Sequence, residues 1–258
     1  MRGTDKEGGS NRAFRLLLTA ALLAPVPAVW AGPEESSVNL MGTSVPGGLP
    51  AGWDHVTFRS VKTHTRYAAV EEDGKIIIKA HAVKSASALV KRIRFDPQRT
   101  PLLRWRWKIS NTLGGDEREK SGDDSAARVY VMFEYTPERA TALKRLKYET
   151  ARILYGEYPP HAALNYIWAN LLPTGGVLPN PYADNSMMIA LKSGNAMAGK
   201  WVDETVNIYE DYIKHFGGEP PMASGVGIMT DSDNTGGDVS AWYSDITLSA
   251  APGERAAK

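Results

Sequence analysis

The feature that most constrains the fold is a series of short apolar or alternating segments separated by turn residues. In the segment 103–109, apolar and basic residues alternate strictly, which is the period of a strand with one buried face. Many short strands at this spacing predict a mainly β protein built as an antiparallel β-sandwich. The predicted strands cover residues 65–70, 75–80, 88–95, 103–109, 129–133, 187–191, 201–207, 225–230 and 241–248.

Turn and helix signals interrupt this pattern. Asp73-Gly74 lies between two apolar runs and predicts a hairpin. Thr136-Pro137-Glu138 predicts the start of a helix, because proline fits the first helical turn. A second helix is predicted over 208–216 and ends at Gly217-Gly218. The first helix is expected to continue because the residues Ala140, Leu143, Leu146, Thr150 and Leu154 follow a helical period.

The first residues predict export. A positively charged start precedes an apolar run over 16–29, and Val29-Trp30-Ala31 offers the small residues that a signal peptidase reads. The run is too short to span a bilayer and contains two prolines, and no later segment of the mature chain predicts a transmembrane helix. We therefore expect a signal peptide over 1–31, a linker over 32–50, one β-sandwich domain over 51–249 and a tail over 250–258, with the mature protein periplasmic or secreted.

Charge and cysteine content exclude several classes of function. The formal net charge is +1 and no basic cluster stands out, so a nucleic-acid surface is not expected. The chain has no cysteine, which excludes disulfides, thiolate catalysis, cysteine-bound zinc and a lipid attached at the cleavage site. Stability must therefore come from the apolar core or from a bound ion.

A first acidic loop precedes the apolar run 129–133. It contains Asp123 and Asp124, followed by Arg128. Two adjacent carboxylates repel each other, so a positive group is expected nearby. Arg128 is a candidate structural partner, with Asp124 as the carboxylate it pairs with. The same three residues are also candidates for binding a ligand, and both interpretations stay open.

A second acidic loop follows the apolar run 225–230. Asp231, Asp233 and Thr235 place oxygen atoms at alternate positions, and Gly236 stands sixth, as in the opening of a calcium loop. The twelfth position is Trp242 rather than the glutamate of an EF-hand, so an EF-hand is excluded. A looser calcium site and an ordinary turn both remain open. Zinc is not expected, because the five histidines are scattered and carboxylates suit hard cations.

Aromatic residues divide into core and surface candidates. Trp105 and Trp107 share the apolar face of their strand and are expected in the core. Trp201, Trp242 and Tyr243 stand near strand beginnings and are candidate platforms for a sugar ring. Asn180 and Tyr182 belong to a segment over 180–185 that is expected to be a polar loop, either lining a groove or simply connecting two strands.

Several motifs appear together in an order that resembles the bacterial family known as domain of unknown function 3047. The resemblance covers about residues 53–248. It implies an exported protein with a jelly-roll fold of the galactose-binding type, and it implies no particular activity. The motifs are Trp105-Arg106-Trp107, the Gly-Asp-Asp-x-Ala-Ala-Arg stretch over 122–128, Leu164-Asn165-Tyr166-Ile167-Trp168, Asn180-Pro181-Tyr182, Asp211-Tyr212 with Phe216-Gly217, and Asp231-x-Asp233-Asn234-Thr235-Gly236.

Two functions follow from these observations. The first is a ligand-binding or accessory module that recognises a polar small molecule or a glycan through loops at one end of the sandwich, with calcium as a candidate stiffening ion. The second is a glycan-acting hydrolase that uses the carboxylates of the two acidic loops. The sequence has no nucleophile elbow, no zinc-protease motif and no phosphate loop, so no residue is assigned a catalytic role. Convergence of the two acidic loops in one pocket would favour hydrolysis.

Overall fold

Two β-sheets pack face to face in the computed structural model, which describes residues 37–139, 148 and 160–252. The fold is mainly β, as the strand pattern predicts. The strands are β1 (Ser37–Asn39), β2 (Asp54–Val56), β3 (Arg66–Glu72), β4 (Lys75–Val83), β5 (Ala86–Phe95), β6 (Leu102–Ile109), β7 (Ala127–Phe133), β8 (Ala162–Ala169), β9 (Val177–Asn180), β10 (Ala183–Ser193), β11 (Val202–Asn207), β12 (Ala223–Asp231) and β13 (Asp238–Ser249).

The two sheets differ in how their strands pair. The six-stranded sheet has the order β11-β6-β13-β4-β3, with β1 beside β13, and all its pairs are antiparallel. The seven-stranded sheet has the order β2-β5-β12-β7-β8-β10-β9. Its β8 and β10 are parallel, which departs from a purely antiparallel sandwich. The cause is the β9–β10 hairpin, because it turns β10 back into the space between β8 and β9.

The core lies between the sheets and is rich in aromatic rings. Trp105 and Trp107 of β6 are buried, as the alternation predicts. Trp105 contacts Tyr166 of β8, and Trp107 contacts Trp168, with a distance of 5.7 Å between ring centroids in each pair. Large aromatic surfaces contribute strongly to hydrophobic stabilisation, so these contacts are a main link between the two sheets.

The hairpin predicted at Asp73-Gly74 is present between β3 and β4. Both residues have positive φ, 52° and 74°, as the two central positions of a type I′ turn require. Asparagine, aspartate and glycine adopt this backbone most readily, which explains why the sequence signal was reliable here.

Other segments differ from the sequence-based expectation. The polar loop expected over 180–185 is instead a tight turn, since Asn180 ends β9 and 183–185 begin β10. Part of the expected linker belongs to the sandwich, because β1 pairs with β13 and the side chains of Leu40 and Met41 are buried. The strands β1, β2, β8 and β9 were not predicted. Of these, β8 is almost completely buried, so it lacks an alternating pattern.

Within the described residues, an α-helix connects β11 of one sheet to β12 of the other. Helix α1 (Ile208–Phe216) was predicted, and the side chain of Asn207 accepts a hydrogen bond from the backbone N–H of Glu210 at its start. The helix predicted from Thr136 begins with a short 3-10 helix, Pro137–Arg139. Its continuation over 140–154 lies outside the described residues, apart from Tyr148.

Candidate functional site

The two acidic loops meet at one end of the seven-stranded sheet. Strands β7 and β12 are antiparallel neighbours, so the start of β7 lies beside the end of β12. The backbone N–H of Asp231 donates to the carbonyl of Ser125, and Asp231 Oδ1 accepts from the backbone N–H of Ser125 at 3.1 Å. Pairing of these two strands therefore brings together loops that are about a hundred residues apart in the sequence.

Arg128 is the centre of this site. Its side chain is 1 % exposed. Its Nε and Nη2 donate to the two carboxylate oxygens of Asp231 at 2.9 and 3.0 Å. Nη2 also donates to Asp123 Oδ1 at 3.0 Å and to the Asp123 carbonyl at 2.7 Å. Burial alone would lower the pKa of Arg128, but the carboxylates of Asp231 and Asp123 raise it well above its usual value. The guanidinium therefore remains charged and holds both acids.

Asp124 does not pair with Arg128, which corrects the structural pair considered from the sequence. Its Oδ2 accepts from the backbone N–H and the hydroxyl of Thr235, at 2.6 and 2.7 Å. Its Oδ1 accepts from the backbone N–H and the side-chain amide of Asn234, both at 3.3 Å. Asp124 is fully buried. Asp124 holds the second acidic loop in its conformation, because backbone and side-chain groups of that loop donate hydrogen bonds to its carboxylate.

Two carboxylates in the second loop have raised pKa values. Burial raises the pKa of Asp231 to about 7; Arg128 opposes this shift, and the nearby Asp124 and Asp123 add to it. Burial, followed by the charge of Asp124, also raises the pKa of Asp233, which is partly exposed. Both groups therefore hold a proton at a higher pH than an ordinary aspartate does.

A cavity of about 550 Å³ opens above Arg128. Phe58 and Val61 line one part of it, and Tyr130 and Met229 project into it from β7 and β12. Its polar lining comes from Asp123, Asp231, Asp233, Asn180 and Asn234, with Tyr182 alongside. The site is therefore a pocket with carboxylates and amides in one part of its wall and apolar and aromatic side chains in the other.

Tyr182 stands at this pocket, and the residue is 58 % exposed. Its hydroxyl lies 3.1 Å from both the Lys120 carbonyl and Asn234 Oδ1. The ammonium of Lys120 lies 5.3 Å from the ring centroid. Its neighbour Asn180 donates from Nδ2 to Asp123 Oδ2 at 2.9 Å. An exposed aromatic ring is thus held in a fixed orientation beside the acidic cluster.

The structure brings together most of the residues selected from the sequence but separates three of them, since Trp201 also lies away from the pocket, beside Lys108. Tyr243 is fully buried, and its hydroxyl donates to the Met229 carbonyl at 2.7 Å, so its expected role as a ligand platform is corrected to a core role. Trp242 lies on the six-stranded sheet near Lys79 and Lys108 and does not line the pocket.

Several pocket residues were missed by the sequence analysis. Asn234 lies inside the second acidic loop, and in the sequence it stands out only as part of a motif. Tyr130 and Met229 were included only as parts of strands. Phe58 and Val61 carry no signal of their own, because only the tertiary structure places their segment beside the acidic loops.

Among the described residues, three carboxylates form a set suited to a cation. One oxygen from each of Asp124, Asp231 and Asp233 lies within 4.8 Å of the others. This set differs from the expected set of Asp231, Asp233 and Thr235, since the Thr235 hydroxyl donates to Asp124. Arg128 and the second loop already supply donors to Asp231 and Asp124. A cation would therefore share these oxygens with existing partners.

Fold and site together define a β-sandwich protein with an acidic pocket at the end of one sheet. A family model described as "Protein of unknown function (DUF3047)" matches residues 51–247, and the chain belongs to this family. The comparison with curated proteins gave no match. Within the described ranges, no helix combines the length and the apolar character needed to cross a membrane.

The chain is also similar to solved structures. One is a family 11 carbohydrate-binding module from Clostridium thermocellum, with 8 % identity, TM-score 0.42, and coverage of 84 % of this chain and 95 % of that one. Another is the endoglucanase cel12A from Rhodothermus marinus, with 11 % identity, TM-score 0.43, and coverage of 81 % and 99 %. A third is a family 12 xyloglucanase from Bacillus licheniformis, with 8 % identity, TM-score 0.42, and coverage of 84 % and 100 %. Sequence identities and TM-scores this low support no conclusion about the ligand or the activity of this chain.

Proposed function

We propose that the protein is an exported glycan-binding module, and that the pocket above Arg128 holds the sugar. The observation that carries this proposal is the exposed Tyr182 ring, fixed beside amide and carboxylate groups. A sugar ring has an apolar face that packs on an aromatic ring and hydroxyls that bond to planar polar groups. Pockets of this kind combine an apolar contact surface with a few polar groups that fix orientation.

The excess of carboxylates in the pocket favours a ligand that carries no negative charge. Asp123, Asp231 and Asp233 line it together with one cation, Arg128, whose Nε and Nη2 are already engaged by two of these carboxylates. Sugars carrying carboxylate, phosphate or sulfate groups would be repelled by the excess of acids. Neutral or amine-bearing sugars fit this electrostatic environment.

The test is a binding experiment on the purified protein with neutral, amine-bearing and acidic polysaccharides. We expect neutral or amine-bearing chains to bind and acidic chains not to bind. Replacing Tyr182 with alanine should weaken binding about tenfold, the typical effect of removing a central aromatic contact. Trp242→Ala is the matched control, because this aromatic side chain lies outside the pocket.

Two outcomes would contradict the proposal. Absence of binding to every polysaccharide would remove glycan recognition as the function. Loss of binding in Trp242→Ala with full binding in Tyr182→Ala would move the site to the outer face of the six-stranded sheet.

A calcium ion that stiffens the same loops is a second part of the proposal. Calcium prefers carboxylate oxygens, and three of these lie close together at Asp124, Asp231 and Asp233. A bound ion should raise the melting temperature in calcium relative to chelator, and Asp233→Asn should reduce this difference. Equal melting temperatures of the wild type in calcium and in chelator would remove the ion from the proposal.

Hydrolysis of a glycan is the alternative, favoured by the convergence of both acidic loops in one pocket. A carboxyl with a pKa of about 7, as at Asp231, suits a general acid near neutral pH. However, Asp123 and Asp231 are both bound to Arg128, which leaves Asp233 as the least constrained acid. Release of reducing ends from a bound polysaccharide, abolished by Asp233→Asn, would establish hydrolysis. Binding without release would reject it.

A further inference from the structure

The cavity above Arg128 has an apolar part that the hydroxyls of a plain sugar do not match. Phe58 and Val61 line this part from the segment after β2, and Met229 lines it from β12. Each of these three side chains is partly exposed rather than buried in the core. Sugar hydroxyls packed against such a surface would lose hydrogen bonds to water without replacement, which is unfavourable. The apolar part therefore calls for an apolar group on the ligand.

Tyr130 stands where the apolar part of the cavity meets the acidic part. It lines the cavity, and its hydroxyl lies 3.8 Å from the sulfur of Met229. The charges of Arg128, Asp231 and Asp123 also act on this hydroxyl. A single donor group is thus close to both parts of the lining.

The hydroxyl of Tyr130 is a donor without a strong acceptor. The hydrogen bond that it donates within the described residues goes to the Met229 sulfur, and a thioether sulfur is a weak acceptor. Burial raises the pKa of Tyr130 above its ordinary value, and the charge of Arg128 opposes this shift. The hydroxyl therefore keeps its proton and is available to a ligand that offers a stronger acceptor, such as a carbonyl oxygen.

Three kinds of sugar substituent enter an acidic pocket without adding negative charge: a hydroxyl, an ammonium and an acetamido group. A hydroxyl offers no apolar surface. An ammonium has no acceptor, and it cannot pack against apolar side chains without losing its hydration. An acetamido group is neutral and combines a carbonyl acceptor, an N–H donor and a methyl group. Carboxylates in the same wall, such as that of Asp233, are acceptors for its N–H.

We propose that the ligand is an acetamido sugar, whose carbonyl oxygen accepts from the Tyr130 hydroxyl and whose methyl group packs against Val61 and Met229. This inference rests on the proposed glycan-binding function and specifies the substituent that the site selects. The cavity, of about 550 Å³, is within the range of roughly 300–1,000 Å³ that small-molecule sites occupy, so it can hold a substituted sugar ring.

The test is isothermal titration calorimetry of the purified protein with three trisaccharides that share a β-1,4 linkage and differ in one substituent of each ring. These are the trimers of glucose, glucosamine and N-acetylglucosamine, which carry a hydroxyl, an ammonium and an acetamido group. We expect the acetamido trimer to bind about tenfold or more tightly than either of the others. A site that pairs both a polar and an apolar group of its ligand discriminates this strongly against analogues that lack them.

Tyr130→Phe removes the hydroxyl and keeps the ring. Affinity for the acetamido trimer should fall about tenfold, the effect of one lost hydrogen bond, while affinity for the glucose trimer stays unchanged. The melting temperature should change little, because the bond to the Met229 sulfur is weak. Tyr209→Phe is the matched control. Its hydroxyl bonds to Glu219 outside the cavity, so all three affinities should be unchanged.

Val61→Thr tests the apolar contact separately, because it keeps the shape of the side chain and replaces a methyl group with a hydroxyl. Affinity for the acetamido trimer should fall about fourfold, the value for one buried methyl group, and affinity for the glucose trimer should not fall. Val45→Thr is the control, at a position that is 77 % exposed and outside the cavity.

The outcomes distinguish this inference from the proposed function. Equal affinities for the three trimers, or tightest binding of the glucosamine trimer, would overturn the acetamido sugar and leave a sugar pocket in place. An undiminished acetamido preference in a folded Tyr130→Phe protein would overturn the inference as well. Binding of an N-acetylated dipeptide with no binding of any oligosaccharide would overturn both.

Discussion

At the scale of single residues, the site depends on one buried cation shared by two acids. Arg128 bonds to both oxygens of Asp231 and to Asp123 in a region with almost no solvent exposure. Removing one partner of a buried ion pair is strongly destabilising, because the charge left behind is neither solvated nor paired. The guanidinium is therefore needed for folding as well as for the geometry of the pocket.

Arg128→Met should lower the free energy of unfolding by about 3–5 kcal/mol, because the carboxylates of Asp123 and Asp231 lose their cation. Urea denaturation measures this change. Lys75→Met is the control, since the Lys75–Asp245 pair is exposed and should contribute about 0–1 kcal/mol. Similar losses of unfolding free energy in the two variants would show that Arg128 contributes no more to stability than an exposed cation does.

Asp231 should give the stability an unusual pH dependence. Its pKa is about 7 in the folded protein, against an ordinary value of 3.8. Between these values the folded protein holds a proton that the unfolded chain has released. The contribution of Asp231 to stability is therefore full below about pH 4 and is lost as the pH rises to about 7, with a slope on the order of 1 kcal/mol per pH unit.

Unfolding curves of the wild type and Asp231→Asn across this pH range measure the effect. The variant cannot titrate at this position, so its stability should decline less with rising pH than that of the wild type. Parallel pH profiles for the two proteins would show that Asp231 is already ionised in the folded state at low pH.

At the scale of elements, the first acidic loop is held in place by a buried glutamate. The carboxylate of Glu117 accepts from the backbone N–H groups of Asn170, Leu171 and Leu172, directly after β8. Asn170 in turn donates from Nδ2 to the Asp124 carbonyl at 2.7 Å. The end of β8 thereby positions the loop that carries Asp123 and Asp124.

Glu117→Gln should lower the free energy of unfolding by about 1–3 kcal/mol, because the charge-assisted bonds to the backbone are weakened. It should also weaken ligand binding, since the first acidic loop loses its anchor. Glu119→Gln, at an exposed position of the same loop, is the control and should leave both quantities nearly unchanged. A stable Glu117→Gln protein with weakened binding would mean that the anchor matters for the site alone.

At the scale of the whole molecule, the sandwich extends further towards the start of the chain than the sequence predicts. Leu40 is buried, its backbone N–H donates to the Ile246 carbonyl, and its own carbonyl accepts from the indole N–H of Trp53. The segment before residue 51 therefore contributes both core surface and hydrogen bonds.

A chain that begins at residue 51 should be less stable than one that begins at residue 32. The loss should be about 2–5 kcal/mol, the range for removing a large buried side chain such as Leu40. Chemical denaturation of the two proteins measures the difference. Equal stability would mean that 32–50 acts only as a linker, as its composition first indicated.

The sequence by itself determined features that depend on local physical chemistry. Alternation placed Trp105 and Trp107 in the core, and Asp73-Gly74 predicted its hairpin because few residues accept positive φ. The grouping of carboxylates at strand ends identified the two acidic loops as candidate functional sites. These signals are carried by neighbouring residues in the chain, so no long-range information was needed.

Only the tertiary structure determined which side chains from distant segments contact one another. Strand pairing of β7 with β12 placed Arg128 on Asp123 and Asp231 instead of Asp124. Packing of the two sheets buried Tyr243 of β13, and the turn between β9 and β10 left Tyr182 exposed. The parallel pairing of β8 with β10 placed Asn165 on the outer face between Tyr130 and Met188. Strand order and register are set by contacts between distant segments, and a one-residue change in register would turn each of these side chains to the opposite face.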